Sequence, residues 1–158
     1  GNFVKAKEYY KQILASDSTN FSVYKQLSDM IESSEGLLFA TVYLQKANSL
    51  NSSDGDIAYS YSKVLKDLKQ FESAAKVLDE AIKRGIIIFN VSQCSGGTVD
   101  QGKYETSVQL MKIGVISGRD ITTEAALTKL MFLLGQKLSK REIQKLIQKD
   151  LQGEISDK

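Results

Sequence analysis

IIIFNVSQCSGG, residues 86–97, decides how the chain divides. Four large apolar residues, Ile86 to Phe89, followed by Asn90 and the β-branched Val91, have the composition of a strand buried on both faces. Small and polar residues then follow, as they do where a strand gives way to a loop. A lone strand leaves its backbone donors and acceptors unpaired, so this one requires neighbours. No convincing set of further strands stands in the sequence. Strand pairing between chains, or a sheet completed by sequence separated from this segment, are the two expectations.

Upstream, the language is helical. Ala6, Ala40 and Ala74 lie 34 positions apart. Tyr10, Leu44 and Leu78 keep that interval, as do Ile13, Ala47 and Ala81, while Tyr24/Ala58, Leu27/Tyr61 and Ile31/Leu65 supply the preceding helix of each pair. Small residues recur where helices approach closely and larger ones fill the space beside them. The spacing predicts helices over 2–15, 21–33, 37–50, 55–68 and 71–84, stacked as a helical-hairpin solenoid. Ser18, Asn20, Asn51, Ser52, Asp54 and Gly55 suit the connections between hairpins, Gly36 and the step at 68–70 suit the tight turns within them, and Gly85 is placed to end the last helix.

These residues resemble the tetratricopeptide repeat family over positions 1–84, with ESSEGLLFATVYLQKANSL and KDLKQFESAAKVLDEAI carrying the second-helix pattern. Ala58 stands where that family commonly has an aromatic, and the prolines expected between repeats are absent. Residue 1 falls at the turn before a second helix, so the repeat starts in mid-hairpin; an excised fragment or a native capping arrangement would each produce that start. The resemblance implies a protein- or peptide-binding scaffold. First-helix residues that could face a peptide are Tyr24, Lys25 and Lys63, with Ser28, Asp29, Ser60 and Asp67 beside them. Their mixed charges form no carboxylate clamp. The tyrosines Tyr24 and Tyr61 sit at periodic apolar positions that favour packing, and Lys25, Lys63, Asp29 and Asp67 read as a solvated face.

Composition narrows the classes of function. The 158 residues include 21 Lys plus Arg against 19 Asp plus Glu, a formal charge of +2, with no basic block to follow a phosphate backbone. Residues 1–84 are neutral, with 11 charges of each sign. Nucleic acid is not an expected partner. No apolar run is long enough for a membrane span. Cys94 is the single cysteine and there is no histidine, which excludes an intrachain disulfide, a cysteine-rich zinc site and histidine-based acid–base chemistry. A reducing, cytoplasmic compartment fits, and no cofactor or metal is expected.

Downstream of the apolar run, KYETSVQLMKIG predicts a helix stopped near Gly114. TTEAALTKLMFLLGQ has a threonine N-cap candidate and the apolar content of a largely buried helix. SKREIQKLIQKDLQG opens with Ser139 and Glu142 at capping-box spacing and sets Ile143, Leu146, Ile147 and Leu151 along one face. The segments NVSQCSGGTVDQGKYET, GVISGRDITTEAALTKLMFLLGQ and DLQGEIS, in that order, resemble the C-terminal end of the cytoplasmic bacterial type of L-asparaginase, over about residues 86–156.

That resemblance implies hydrolysis of L-asparagine to L-aspartate and ammonia, without metal or organic cofactor, by two-domain α/β enzymes that form dimers or tetramers. It also implies that the threonine nucleophile and the threonine–aspartate–lysine machinery belong to an N-terminal domain, whose motifs this sequence lacks. No catalytic residue is therefore assigned. Thr122 and Thr123 read as a cap and a first-turn residue, and Cys94 has no histidine to activate it. By the same resemblance, Ser92, Gln93 and Cys94 correspond to a strand-end motif of an effector-asparagine pocket, and Tyr104 and Glu105 to a surface that approaches a neighbouring subunit. Arg119 and Asp120 are expected to order the loop before the helix.

The expected architecture is mainly α: a helical-hairpin repeat solenoid over 1–84 followed by a partial α/β segment over 85–158. The expected function is a catalytically incomplete repeat scaffold or composite used for protein interaction or assembly. The alternative is part of an L-asparagine amidohydrolase assembly whose catalytic residues come from another domain or chain. A protein or peptide is the expected partner, with a homo-oligomer or an asparaginase catalytic domain as its forms; a stand-alone amidohydrolase ranks last.

Overall fold

The computed structural model describes residues 2–94, 96–102 and 105–156. Among these, eight helices and one two-stranded sheet make the chain mainly α. It divides into two compact units, Gly1–Ile86 and Ile87–Lys158.

The first unit consists of α1 (Asn2–Ser16), α2 (Phe21–Ser34), α3 (Leu37–Leu50), α4 (Gly55–Asp67) and α5 (Phe71–Lys83). Side chains in the connections start the helices: Asn20 Oδ1 accepts from the Val23 amide at 3.2 Å, and Asp54 Oδ1 accepts from Asp56 and Ile57 at 2.9 and 3.2 Å. Gly85, at φ 109°, lets the Ile86 amide return to the Ala81 carbonyl at 3.1 Å and closes α5. Each helix packs on the next in sequence. The interval of 34 reappears as burial, with Ala40 and Ala74, Ala47 and Ala81, and Leu65 and Ile31 all buried. Ser28 and Ser62, also one interval apart, are buried with their hydroxyls donating to the carbonyls three residues earlier, at 2.6 and 2.8 Å. In α1 no residue is buried, so Ala6 and Ile13 share the spacing of the later helices without their burial.

The second unit contains β1 (Phe89–Asn90), α6 (Glu105–Lys112), β2 (Ile116–Ser117), α7 (Thr123–Gly135) and α8 (Lys140–Leu146). Four expectations require correction. The strand is two residues long, and residues 86–91 are half-buried rather than buried on both faces. Ile87, Phe89 and Val91 point into the apolar clusters of this unit, the alternation of a strand packed on one side. It also has a neighbour within the chain: β1 and β2 are parallel, with Phe89 opposite Ile116 and Asn90 opposite Ser117. The Ile116 and Gly118 amides donate to the Ile88 and Asn90 carbonyls at 2.9 and 2.7 Å. Pairing between chains is not needed for these groups.

The third correction concerns α7. Only Ala126, Lys129 and Leu133 are buried, the single stripe that the neighbouring elements can cover, while Leu127, Met131, Phe132 and Leu134 are 58–75% exposed. The last helix is shorter than its apolar pattern suggests. Its capping box is formed, with Ser139 N donating to Glu142 Oε2 at 2.7 Å and the Glu142 amide to Ser139 Oγ at 3.4 Å. Beyond Leu146 the chain turns, yet Ile143 and Ile147 are buried against Ile116 and Leu133 and are joined by Leu146 and Leu151.

Candidate functional site

The loop after β1 is held by its own side chains. Ser92 Oγ accepts from the Cys94 amide at 3.2 Å, the Gly97 amide returns to the Cys94 carbonyl at 2.9 Å, and Thr123 Oγ1 donates to the Ser92 carbonyl at 3.3 Å. Gly97 is required by proximity: a Cβ there would stand 2.2 Å from Ser92 Oγ. Ser92, Gln93 and Cys94 thus form one tight turn anchored to the start of α7, with Gln93 and the Cys94 thiol exposed. Thr122 caps that helix, accepting from the Ala125 amide at 3.2 Å. Both threonine hydroxyls therefore serve backbone groups.

Arg119 and Asp120 do more than order a loop. The Arg119 guanidinium donates to the Ser156 carbonyl, and the Asp120 carboxylate accepts from the Ser156 amide at 3.1 Å. The bond from Ser156, helped by the Arg119 charge, holds the Asp120 carboxyl below its usual range. The C-terminal segment is tied down through one residue's donor and acceptor.

A second tie lies outside the sequence expectations. Lys129 and Glu154 meet at 2.6 Å, with side chains only 4% and 13% exposed, and Lys129 also donates to the Lys149 carbonyl. Glu154 accepts from the amides of Leu151 and Gln152. Burial alone would push its carboxyl upward, but the Lys129 bond and the backbone amides outweigh this and bring it down to about 2. The available signal is phase: Lys129 lies on the stripe of Ala126 and Leu133, where an unpaired ammonium would be costly.

On the helical unit, the three peptide-facing candidates are already engaged. Lys25 Nζ lies 2.7 Å from Asp29 and 3.4 Å from Asp56, so the solvated face expected for Lys25 is instead a partly covered ion cluster. Burial lowers the Lys25 ammonium, yet the two carboxylates win and raise it. Lys63 reaches Glu32 at 3.4 Å, and the Tyr24 ring stands 6.4 Å from that of Tyr43. A separate groove of about 390 Å³ is lined by Gln45, Asn48, Tyr61, Lys76, Glu80 and Arg84 among others, and none of the three lines it. Tyr104 lies outside the described residues; Glu105 begins α6, and its side chain is likewise outside them. Among the described residues, no group of three or more acidic, cysteine or histidine side chains is placed to hold a metal, and no helix is long and apolar enough to cross a membrane.

The family model for the Glutaminase/Asparaginase C-terminal domain matches residues 67–147, just over half of the chain. The chain belongs to that family. L-asparaginase 1 of Escherichia coli (strain K12) is 46% identical over 79 residues, 50% of this chain and 23% of that protein. A glutamyl-tRNA(Gln) amidotransferase subunit of Methanobrevibacter smithii is 40% identical over 81 residues, 51% of this chain and 19% of its own length. The crystal structure of L-asparaginase I from Vibrio cholerae O1 biovar eltor is 44% identical over 52% of this chain and 25% of that one, with a TM-score of 0.49. The chain therefore spans under a quarter of the length of these two curated relatives. The Glutaminase/Asparaginase match includes the Ser92–Cys94 turn, Arg119, Asp120 and Lys129, but ends before Glu154.

Proposed function

We propose that this chain is an assembly protein: a tetratricopeptide-like repeat scaffold joined to a Glutaminase/Asparaginase C-terminal segment that lacks catalytic machinery of its own. The observation that carries the reading is α7. Four large apolar side chains on that helix are exposed, three of them (Leu127, Met131 and Leu134) at the i, i+4 and i+7 spacing of one helix face, in a unit whose described residues form a sheet of two short strands, and an exposed apolar face of this kind marks a contact with another protein. Among the described residues, Thr122 and Thr123 bond to backbone groups, and the lone thiol has no histidine in the chain to activate it. The repeat reading rests on the burial recurring at an interval of 34 and on the helix-to-next-helix packing. The single exposed Cys94 fits a cytoplasmic setting.

A second reading has its own support. One relative's name describes an amidotransferase subunit, so a family segment that works within a larger assembly has a parallel. Here the segment would complete an L-asparagine amidohydrolase whose nucleophile sits on another chain. Ammonia release from L-asparagine separates the two. The chain alone is expected to release none above the buffer rate, and turnover by the chain alone at an ordinary enzymatic rate, about 1–1000 s⁻¹, would overturn both readings. With L-asparaginase 1 of Escherichia coli added, an unchanged rate together with co-elution on size exclusion supports the assembly protein. A rate altered in proportion to the added chain favours the amidohydrolase assembly.

A further inference from the structure

Helix α1 carries no buried residue, although it holds the place in the interval of 34 that α3 and α5 hold. Ala6, Tyr9 and Ile13 stand where α3 has Ala40, Tyr43 and Ala47 and where α5 has Ala74, Val77 and Ala81. On α3 and α5 the preceding helix reaches these positions. Ala74, Val77 and Ala81 cluster with Ala58 and Leu65 of α4, with Tyr61 packed against them, and the Tyr43 ring lies 6.4 Å from that of Tyr24 on α2. On α1 the same face is open: Ala6 is half-buried, Tyr9 is 64% exposed and Ile13 40%. The half-buried Lys7, Tyr10 and Leu14 lie on the adjoining side of the helix, where Lys7 pairs with Glu35 at the end of α2.

The sizes along this face decide what fits it. The covering residues of α4 run small, aromatic, large at i, i+3 and i+7: Ala58, Tyr61, Leu65. The short turn at 68–70 makes α4 and α5 antiparallel, which sets Leu65 at the level of Ala74 and Ala58 at that of Ala81. Helix α1 has the same order, Ala6, Tyr9, Ile13, because it departs from α3 and α5 at Ile13, where they carry Ala47 and Ala81. It therefore offers an open face and also the pattern that covers such a face. The matching face of α4 is committed to α5.

We propose that α1 docks on α1 of a second copy as an antiparallel, two-fold pair. Ile13 of each copy then lies over Ala6 of the other, as Leu65 lies over Ala74, and the two Tyr9 rings meet at the axis. Along the seam's other edge the exposed Lys5 and Gln12 come opposite each other, so no like charges face across it. The contact rests on the packing of the repeats and is independent of α7.

Sedimentation equilibrium of the full chain up to about 1 mM tests this. One helix pair is a small interface, below about 1,200 Å², so a weak dimer with Kd on the order of 100 µM is expected. Ile13→Glu and, separately, Tyr9→Lys should each weaken it at least about tenfold with unchanged helical circular dichroism, because both positions are exposed in the single chain. Size order gives a sharper test. Ala6→Ile adds apolar surface yet should weaken the dimer by crowding Ile13 of the other copy, and Ala6→Ile combined with Ile13→Ala should restore it. If Ala6→Ile does not fold, Tyr9→Lys and Ile13→Glu decide. A monomer at about 1 mM, a dimer indifferent to Ile13→Glu and Tyr9→Lys, or a dimer strengthened by Ala6→Ile would each overturn the proposal. So would a monomer that saturably binds a synthetic peptide of residues 54–68, which would give the face to a helix of another protein. Association that resists the α1 variants but is lost when Leu127, Met131 and Leu134 are replaced by Gln would overturn this pairing and leave the α7 contact standing.

Discussion

Lys129 and Glu154 hold opposite charges in a place that water hardly reaches, and the pair fixes α7 to the segment after α8. Replacing Glu154 by Gln removes the compensating charge and leaves the buried ammonium with neutral acceptors alone, the Lys149 carbonyl and the new amide oxygen. The expected loss is about 3–5 kcal/mol, the range for breaking one side of a buried pair, measured by urea unfolding. Replacing both by Met should recover much of that loss, because the apolar pair strands no charge. The pH dependence has a defined sign. With the folded carboxyl near 2 and an ordinary value of 4.5, the contribution of Glu154 is complete above about pH 4.5 and disappears as pH falls through about 2. The stability difference between the native chain and Glu154→Gln should narrow across that window. Gly118 offers a second residue-scale test. A Cβ there would lie 2.8 Å from Val91 Cγ1 and 2.9 Å from the Asn90 carbonyl, the same carbonyl that accepts the Gly118 amide. Gly118→Ala should cost about 1–3 kcal/mol by overpacking, seen as a lower denaturant midpoint with an unchanged slope.

Local signals are legible where they act over a few residues. The Ser139–Glu142 box, the Thr122 cap and the Gly85 stop depend on groups within one turn of helix, and each forms as its spacing predicts. Coverage is what the sequence does not disclose. The apolar content of α7 is that of a buried helix, but content cannot say how many neighbours a helix has; here one stripe is covered and the rest is open. The strand differs from its expectation for a related reason: four apolar residues in a row resemble a strand covered on both faces, while β1 is covered on one. The same distinction gives an element-scale prediction. Leu133→Ala should cost about 2–5 kcal/mol as a core truncation. Leu127→Gln, Met131→Gln and Leu134→Gln should each change stability by no more than about 0.5 kcal/mol, as surface positions do. Combined, the three should reduce concentration-dependent association or partner co-elution in light scattering after size exclusion. If the triple variant unfolds instead, the face is part of the unit's own core.

At the scale of the whole chain, α5 answers to two descriptions. The family match begins at residue 67 and includes it, whereas the interval of 34 makes it the last helix of the repeats, and its buried face packs with α4. Ala74, Val77 and Ala81 form one cluster with Ala58 and Leu65 of α4, with Tyr61 and Ile86 against it. Every member of that cluster lies within residues 1–86. A polypeptide of residues 1–86 should therefore keep this core and melt cooperatively by far-ultraviolet circular dichroism. A polypeptide of residues 67–158 contains the whole family match but removes most of α4, leaving the apolar face of α5 without the side chains that bury it. In hydrogen exchange the amides of residues 75–82 should then exchange at nearly unfolded rates, while the Ile116 and Gly118 amides, bonded to the Ile88 and Asn90 carbonyls, stay slower. Slow exchange along α5 in that shorter polypeptide would reassign the helix from the repeats to the family segment. It would also move the boundary between the two from residue 86 to the start of the match.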